Sequence, residues 1–212
     1  MAYDHQEQET LDEFKAWWAR HGNLVTGVAT LVLLAIAAWN GWSWYQRREA
    51  AAASVMYAEY ERASASAGDQ AKAREIAGSL IERHPSTVYA ALAALQSAKR
   101  NFEAHDTAAA RAQLQWVIDK SGHDELAYTA RERLAGLMLD AKEYDAALKV
   151  LAVDPPEAHA VAFADRRGDI YGAQGNVEAA RKAWQEALAK AGPQHPLRSL
   201  IELKLSALPA NG

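Results

Sequence analysis

Apolar and polar positions follow two different rhythms along this chain. From Gly22 to Tyr45 the sequence reads GNLVTGVATLVLLAIAAWNGWSWY, 24 residues without a charged side chain. As a helix, at about 1.5 Å per residue, such a run reaches roughly 36 Å. That length crosses a hydrocarbon layer about 30 Å thick with some tilt. Beyond Arg48 the pattern changes. Apolar groups alternate with charges, and clusters of turn-forming residues interrupt them at Ser66–Gln70, His84–Thr87, Ala104–Thr107, Ser121–Asp124, Val153–Glu157, Ala173–Asn176 and Ala191–Pro196. The intervals of about 12–20 residues suit helices of three to five turns. Alternating β-branched stretches are scarce and alanine is abundant, which predicts an all-α chain.

The flanks of the long apolar run define what it is for. Five of the seven tryptophans bracket it: Trp17 and Trp18 before, Trp39, Trp42 and Trp44 at its far end, followed by Tyr45. Rings with one polar atom favour the headgroup zone, so these six residues are candidate membrane-interface residues. Core helices of soluble folds are usually shorter and keep a polar face. A cleaved signal peptide has a basic start and an apolar stretch of only about 7–15 residues. Here the first 20 residues hold five acids against two bases, and Arg47 and Arg48 separate the run from the small residues of Glu49–Ser54. The expectation is therefore a retained single transmembrane helix over 22–45. Residues 1–21 form a short tail whose Leu11, Phe14, Trp17 and Trp18 recur at helical spacing, as in a lead-in lying on the bilayer surface. Residues 46–212 form the helical domain. Lys15 and Arg20 on one side balance Arg47 and Arg48 on the other, so charge counting leaves the orientation open.

Within the helical region an internal repeat emerges. Gly168, Tyr171, Gly175, Ala180, Trp184, Ala187 and Pro193 fall close to the tetratricopeptide pattern of small residue, aromatic, turn glycine, alanine, aromatic, alanine and proline. The same frame recurs upstream: Ala180 aligns with Ala147, Ala110 and Ala73, at spacings of 33, 37 and 37. Gly168 aligns with Ala135 and Ala98, and Trp184 with Leu151, Leu114 and Ala77. Small residues let paired helices approach closely, and larger apolar ones fill the seam. The fold class expected is a single N-terminal transmembrane helix followed by a tetratricopeptide-like α-solenoid of antiparallel helix pairs. Leu197–Leu208 is expected to cap the last pair, whose apolar face is otherwise bare.

Composition narrows the chemistry. The net charge is −4, with no basic run, so nucleic acid is not an expected partner. Cysteine is absent, which removes disulfides, thiol nucleophiles and cysteine-bound metals. The histidines fall mostly in turns and helix ends with no HExxH spacing, and no P-loop, GxGxxG or GxSxG occurs. No catalytic residue, metal site or cofactor is expected, and the protein reads as a binding module rather than an enzyme. A solenoid offers a concave face built from the first helix of each pair. The repeat frame puts Leu95, Lys99 and Phe102, then Glu132 and Leu139, then Asp165 and Asp169 on that groove. Acids and apolar residues dominate this set, so clamping of a carboxylate by lysines and asparagines is not expected.

The segments ETLDEFKAWWARHG (Glu9–Gly22), GWSWY (Gly41–Tyr45), YAALAALQSAK (Tyr89–Lys99) and RRGDIYGAQGNVEAARKAWQEAL (Arg166–Leu188) resemble the YfgM-like family, the ancillary subunit of the bacterial SecYEG translocon. The likeness runs from about residue 8 through nearly the whole chain. It implies a cytoplasmic N-terminus, one span of the bacterial inner membrane and a periplasmic tetratricopeptide-like domain. The partners it implies are the SecYEG translocon, a membrane-anchored periplasmic chaperone of the prolyl-isomerase type, and unfolded secreted clients. A scaffold for another envelope assembly, in cell division or outer-membrane biogenesis, is the alternative.

Overall fold

The computed structural model describes residues 3–209, and every regular element among them is helical. Helix α1 (Tyr3–Ala65) is followed by α2 (Gln70–Arg83), α3 (Val88–Glu103), α4 (Thr107–Lys120), α5 (Asp124–Asp140), α6 (Tyr144–Val150), α7 (Glu157–Ala173), α8 (Val177–Lys190) and α9 (Arg198–Ser206). The chain divides into two compact units, the first ending at Glu49 and the second starting at Ala50.

The first unit is one stretch of α1. Helix α1 is the single helix among the described residues long and apolar enough to cross a membrane. Its large apolar side chains point outward along the whole run, with Leu31 68% and Leu33 66% exposed. A soluble core helix would bury them. The polar side chains inside the run bond to the helix itself. Thr26 Oγ1 donates to the Gly22 carbonyl at 2.6 Å, Thr30 Oγ1 to that of Thr26 at 2.8 Å, and Asn40 Nδ2 to that of Ile36 at 3.0 Å. Each bond lowers the cost of placing that group away from water.

The second unit is a stack of helix pairs, α3 with α4, α5 with α6, and α7 with α8, while α9 packs on α8, and the end of α1 shares one apolar cluster with α2 and α3. The repeat frame explains the seams. Ala73, Ala110, Ala147 and Ala180 are all buried, as are Ala98, Ala135 and Gly168 opposite them. In the last pair the approach is closest, since a β-carbon on Gly168 would overlap the Trp184 indole. Leu114 and Leu151 fill the corresponding space in the two preceding pairs. Tyr60 of α1 is fully buried and its hydroxyl pairs with Ser97 Oγ at 3.2 Å, tying α1 to α3.

The turns within the three helix pairs share one geometry. After α3, α5 and α7 a residue adopts positive φ: His105 (63°), Lys142 (61°) and Gly175 (78°). In each turn that residue's N–H bonds the carbonyl three residues back, and the next N–H bonds the carbonyl five back: Asp106 to Asn101 (2.7 Å), Glu143 to Met138 (2.8 Å), Asn176 to Tyr171 (2.9 Å). This is the Schellman closure, which satisfies the last carbonyls of a helix. Asp106 and Asn176 then cap the following helix through their side chains. Helix α1 joins α2 differently, through a short 3₁₀ turn at Ala67–Asp69.

Candidate functional site

Helices α3, α5 and α7 contact one another in turn along one side of the second unit, and each reaches back to the helix two before it. Gln96 Nε2 donates to the Tyr57 hydroxyl of α1 at 2.6 Å. Arg133 Nη1 donates to the Leu95 carbonyl of α3 at 3.4 Å. Arg166 Nη2 donates to Glu132 of α5 at 3.1 Å. Gln96, Arg133 and Arg166 occupy one repeat position, so the solenoid carries a polar ladder along this side. The series ends at α9, where Lys204 Nζ meets Asp165 at 2.8 Å and Asp169 at 2.6 Å on α7.

Between the rungs lies a groove of about 450 Å³. Ala98, Leu114 and Leu137 form its floor. Lys99, Phe102, Arg133, Gly136, Asp140 and Arg166 form its walls. Phe102 is 45% exposed, an aromatic ring left open to solvent at the end of α3. Gly136 lies under the Arg166 guanidinium, with room for a β-carbon 3.6 Å from its central carbon.

The residues expected on this face separate into three groups. Lys99 and Phe102 line the groove. Glu132 and Asp169 border it as ion-pair partners of Arg166, at 3.1 and 3.6 Å. Leu95, Leu139 and Asp165 turn inward instead. Leu95 is buried among Ala94, Leu114 and Leu134, and Leu139 packs toward Leu151 and Phe163. Asp165 is 8% exposed, and burial raises its carboxyl above the usual aspartate range, outweighing the nearby Lys204 ammonium. Arg133, Gly136, Asp140 and Arg166 were absent from the expected set. The arginines stand one residue after Glu132 and Asp165, and one residue turns a helical side chain by about 100°. The lining of this groove holds more cations than the acidic and apolar set expected from sequence. The signal that marks it is the recurrence of Arg133 and Arg166 at the 33-residue spacing.

No cluster of three or more histidine, aspartate or glutamate side chains able to hold a metal occurs among the described residues.

In the first unit, Phe14 and Trp17 have ring centroids 6.3 Å apart, and Trp17 and His21 are 5.3 Å apart. Trp18 folds over Gly22, the one buried residue of that stretch. At the other end of the apolar run Trp42 lies 6.1 Å from Tyr45, and the Arg48 guanidinium sits 5.4 Å over Trp44. Trp39, like these, is exposed. Aromatic groups therefore crowd both ends of the apolar run.

Helix pairs in register, a terminal capping helix and an apolar N-terminal helix define a membrane-type tetratricopeptide-like protein. The family model described as "Tetratricopeptide repeat-like domain" matches residues 15–210. A protein of Neisseria gonorrhoeae named "Ancillary SecYEG translocon subunit" is 31% identical over 212 residues, covering 98% of this chain and 100% of its own. Its namesake in Aggregatibacter actinomycetemcomitans is 31% identical over 98% of this chain and 100% of its own. The one in Escherichia coli is 28% identical over 98% and 99%. No solved structure matches the chain. The chain belongs to the YfgM-like family of tetratricopeptide repeat-like proteins, whose relatives carry the translocon-subunit name.

Proposed function

We propose that this protein is a non-catalytic, membrane-tethered adaptor at the SecYEG translocon, helping secreted proteins pass to periplasmic chaperones. The observation that carries the reading is full-length similarity to ancillary SecYEG translocon subunits, 31% over 98% of the chain. Residues 22–45 span the inner membrane, with Trp17, Trp18, Trp39, Trp42, Trp44 and Tyr45 at its two surfaces. Residues 1–21 lie in the cytoplasm and 46–212 in the periplasm. A membrane-anchored chaperone of the prolyl-isomerase type is the partner that receives clients.

The mechanism is confinement. A span beside the channel holds the groove near emerging chain, and local concentration replaces tight affinity. Weak binding then releases each client quickly. An open, half-polar groove suits this better than a closed apolar pocket.

Two experiments test the proposal. Crosslinking in intact cells followed by detergent pull-down is expected to recover SecYEG subunits and the chaperone. Recovery of envelope-division proteins without Sec subunits would overturn it in favour of a scaffold elsewhere. A C-terminal tag is expected to be digested by protease added to spheroplasts. Resistance until lysis would reverse the proposed orientation.

A further inference from the structure

The geometry points to a specific ligand chemistry for the groove: an extended segment of another protein that places an aspartate or glutamate side chain next to an apolar one. This inference rests on the adaptor reading and deepens it. Its basis is one cation of the lining left without an acid partner. Lys99, Arg133, Arg166 and Asp140 are the charged residues of the lining. Arg166 is neutralised by Glu132 and Asp169. Lys99 meets Glu103 only at 3.8 Å, with both side chains more than half exposed, a pair of little strength. Arg133 makes no ion pair among the described residues, and its one hydrogen bond is the 3.4 Å contact to the Leu95 carbonyl. That bond is long and to a neutral acceptor. A carboxylate offers the same guanidinium a shorter, charge-assisted and bidentate partner. Asp140 also forms no ion pair among the described residues, so it opposes an anion without cancelling Arg133 internally.

The apolar half of the ligand follows from the floor. Phe102, Leu137 and Leu114 lie beside Arg133 in one groove. A leucine or phenylalanine side chain seated there covers the exposed Phe102 ring while a neighbouring carboxylate reaches Arg133. The combination selects against basic segments, which would leave Arg133 facing another cation.

The test uses the full chain in lipid nanodiscs and three acetylated, amidated peptides, so that side chains supply the only carboxylates. The peptides are Ser-Gly-Asp-Leu-Phe-Asp-Gly-Ser and its versions with asparagine or lysine replacing both aspartates. By fluorescence anisotropy at low salt the acidic peptide is expected to bind about ten-fold more tightly than the asparagine peptide, and more tightly still than the lysine one. Arg133→Gln is expected to abolish the preference for acid over amide. Asp140→Asn is expected to strengthen the acidic peptide about three-fold, a gain that a merely structural role would not give. Equal binding of the three peptides, a preference that survives Arg133→Gln, or no binding at all would each overturn the inference. The adaptor reading fails separately, by loss of the SecYEG crosslink in the unaltered protein.

Discussion

Gly168 is a glycine because Trp184 takes the space of its β-carbon. Gly168→Ala must push the indole out of a seam it shares with Val161, Ala164 and Ile201. The expected loss is about 2–3 kcal/mol, read by thermal or urea unfolding. Lys142 is the reverse case. It holds positive φ in a turn where the equivalent residue of the last pair is Gly175. Lys142→Gly is expected to stabilise by about 1 kcal/mol, the left-handed penalty less the flexibility that glycine adds to the unfolded chain. Asp165 is the third residue with a measurable consequence. Its folded pKa lies above the unfolded value because burial disfavours the charge. The folded state therefore binds the proton more tightly, and stability falls as pH rises from the unfolded value near 3.8 through the folded one. Asp165→Asn is always neutral and leaves Lys204 paired with Asp169. Its melting temperature relative to the unaltered protein is expected to rise between pH 4 and pH 7. Seam residues such as Ala110 and Ala180 are legible in sequence because packing repeats with the frame. The exposed columns beside them are not, because solvent tolerates any polar side chain there.

At the scale of helices, turn chemistry located seven of the eight junctions in the described chain. The junction between α5 and α6 was missed, since Ala141–Glu143 contains no glycine, proline or asparagine. The Schellman closure there depends on backbone bonds that lysine can make at some strain, so composition leaves no mark. Only the alignment of Ala147 with Ala110 and Ala180 betrays the second helix of that pair. The end of the stack was clearer. The capping helix expected over Leu197–Leu208 is observed as α9, Arg198–Ser206. Its role is concentrated in Ile201, fully buried against the Trp184 seam. Ile201→Ala is expected to cost about 2–4 kcal/mol. It is also expected to increase binding of an apolar dye, since detaching α9 bares Trp184 and Val161.

For the whole molecule, the repeat is uneven, and the unevenness has a direction. Helix α6 has 7 residues where α4 and α8 have 14 each. Two turns cannot hold themselves together without tertiary support, so the outer layer is thinnest behind α5, the helix that supplies Arg133, Gly136, Leu137 and Asp140 to the groove. In deuterium exchange, the amides of Tyr144–Val150 are expected to lose protection well before those of α4 or α8. Equal protection in all three would contradict it. The stack then has a soft joint at its middle, and an occupant pressing on the groove side of α5 does so where the backing yields most easily.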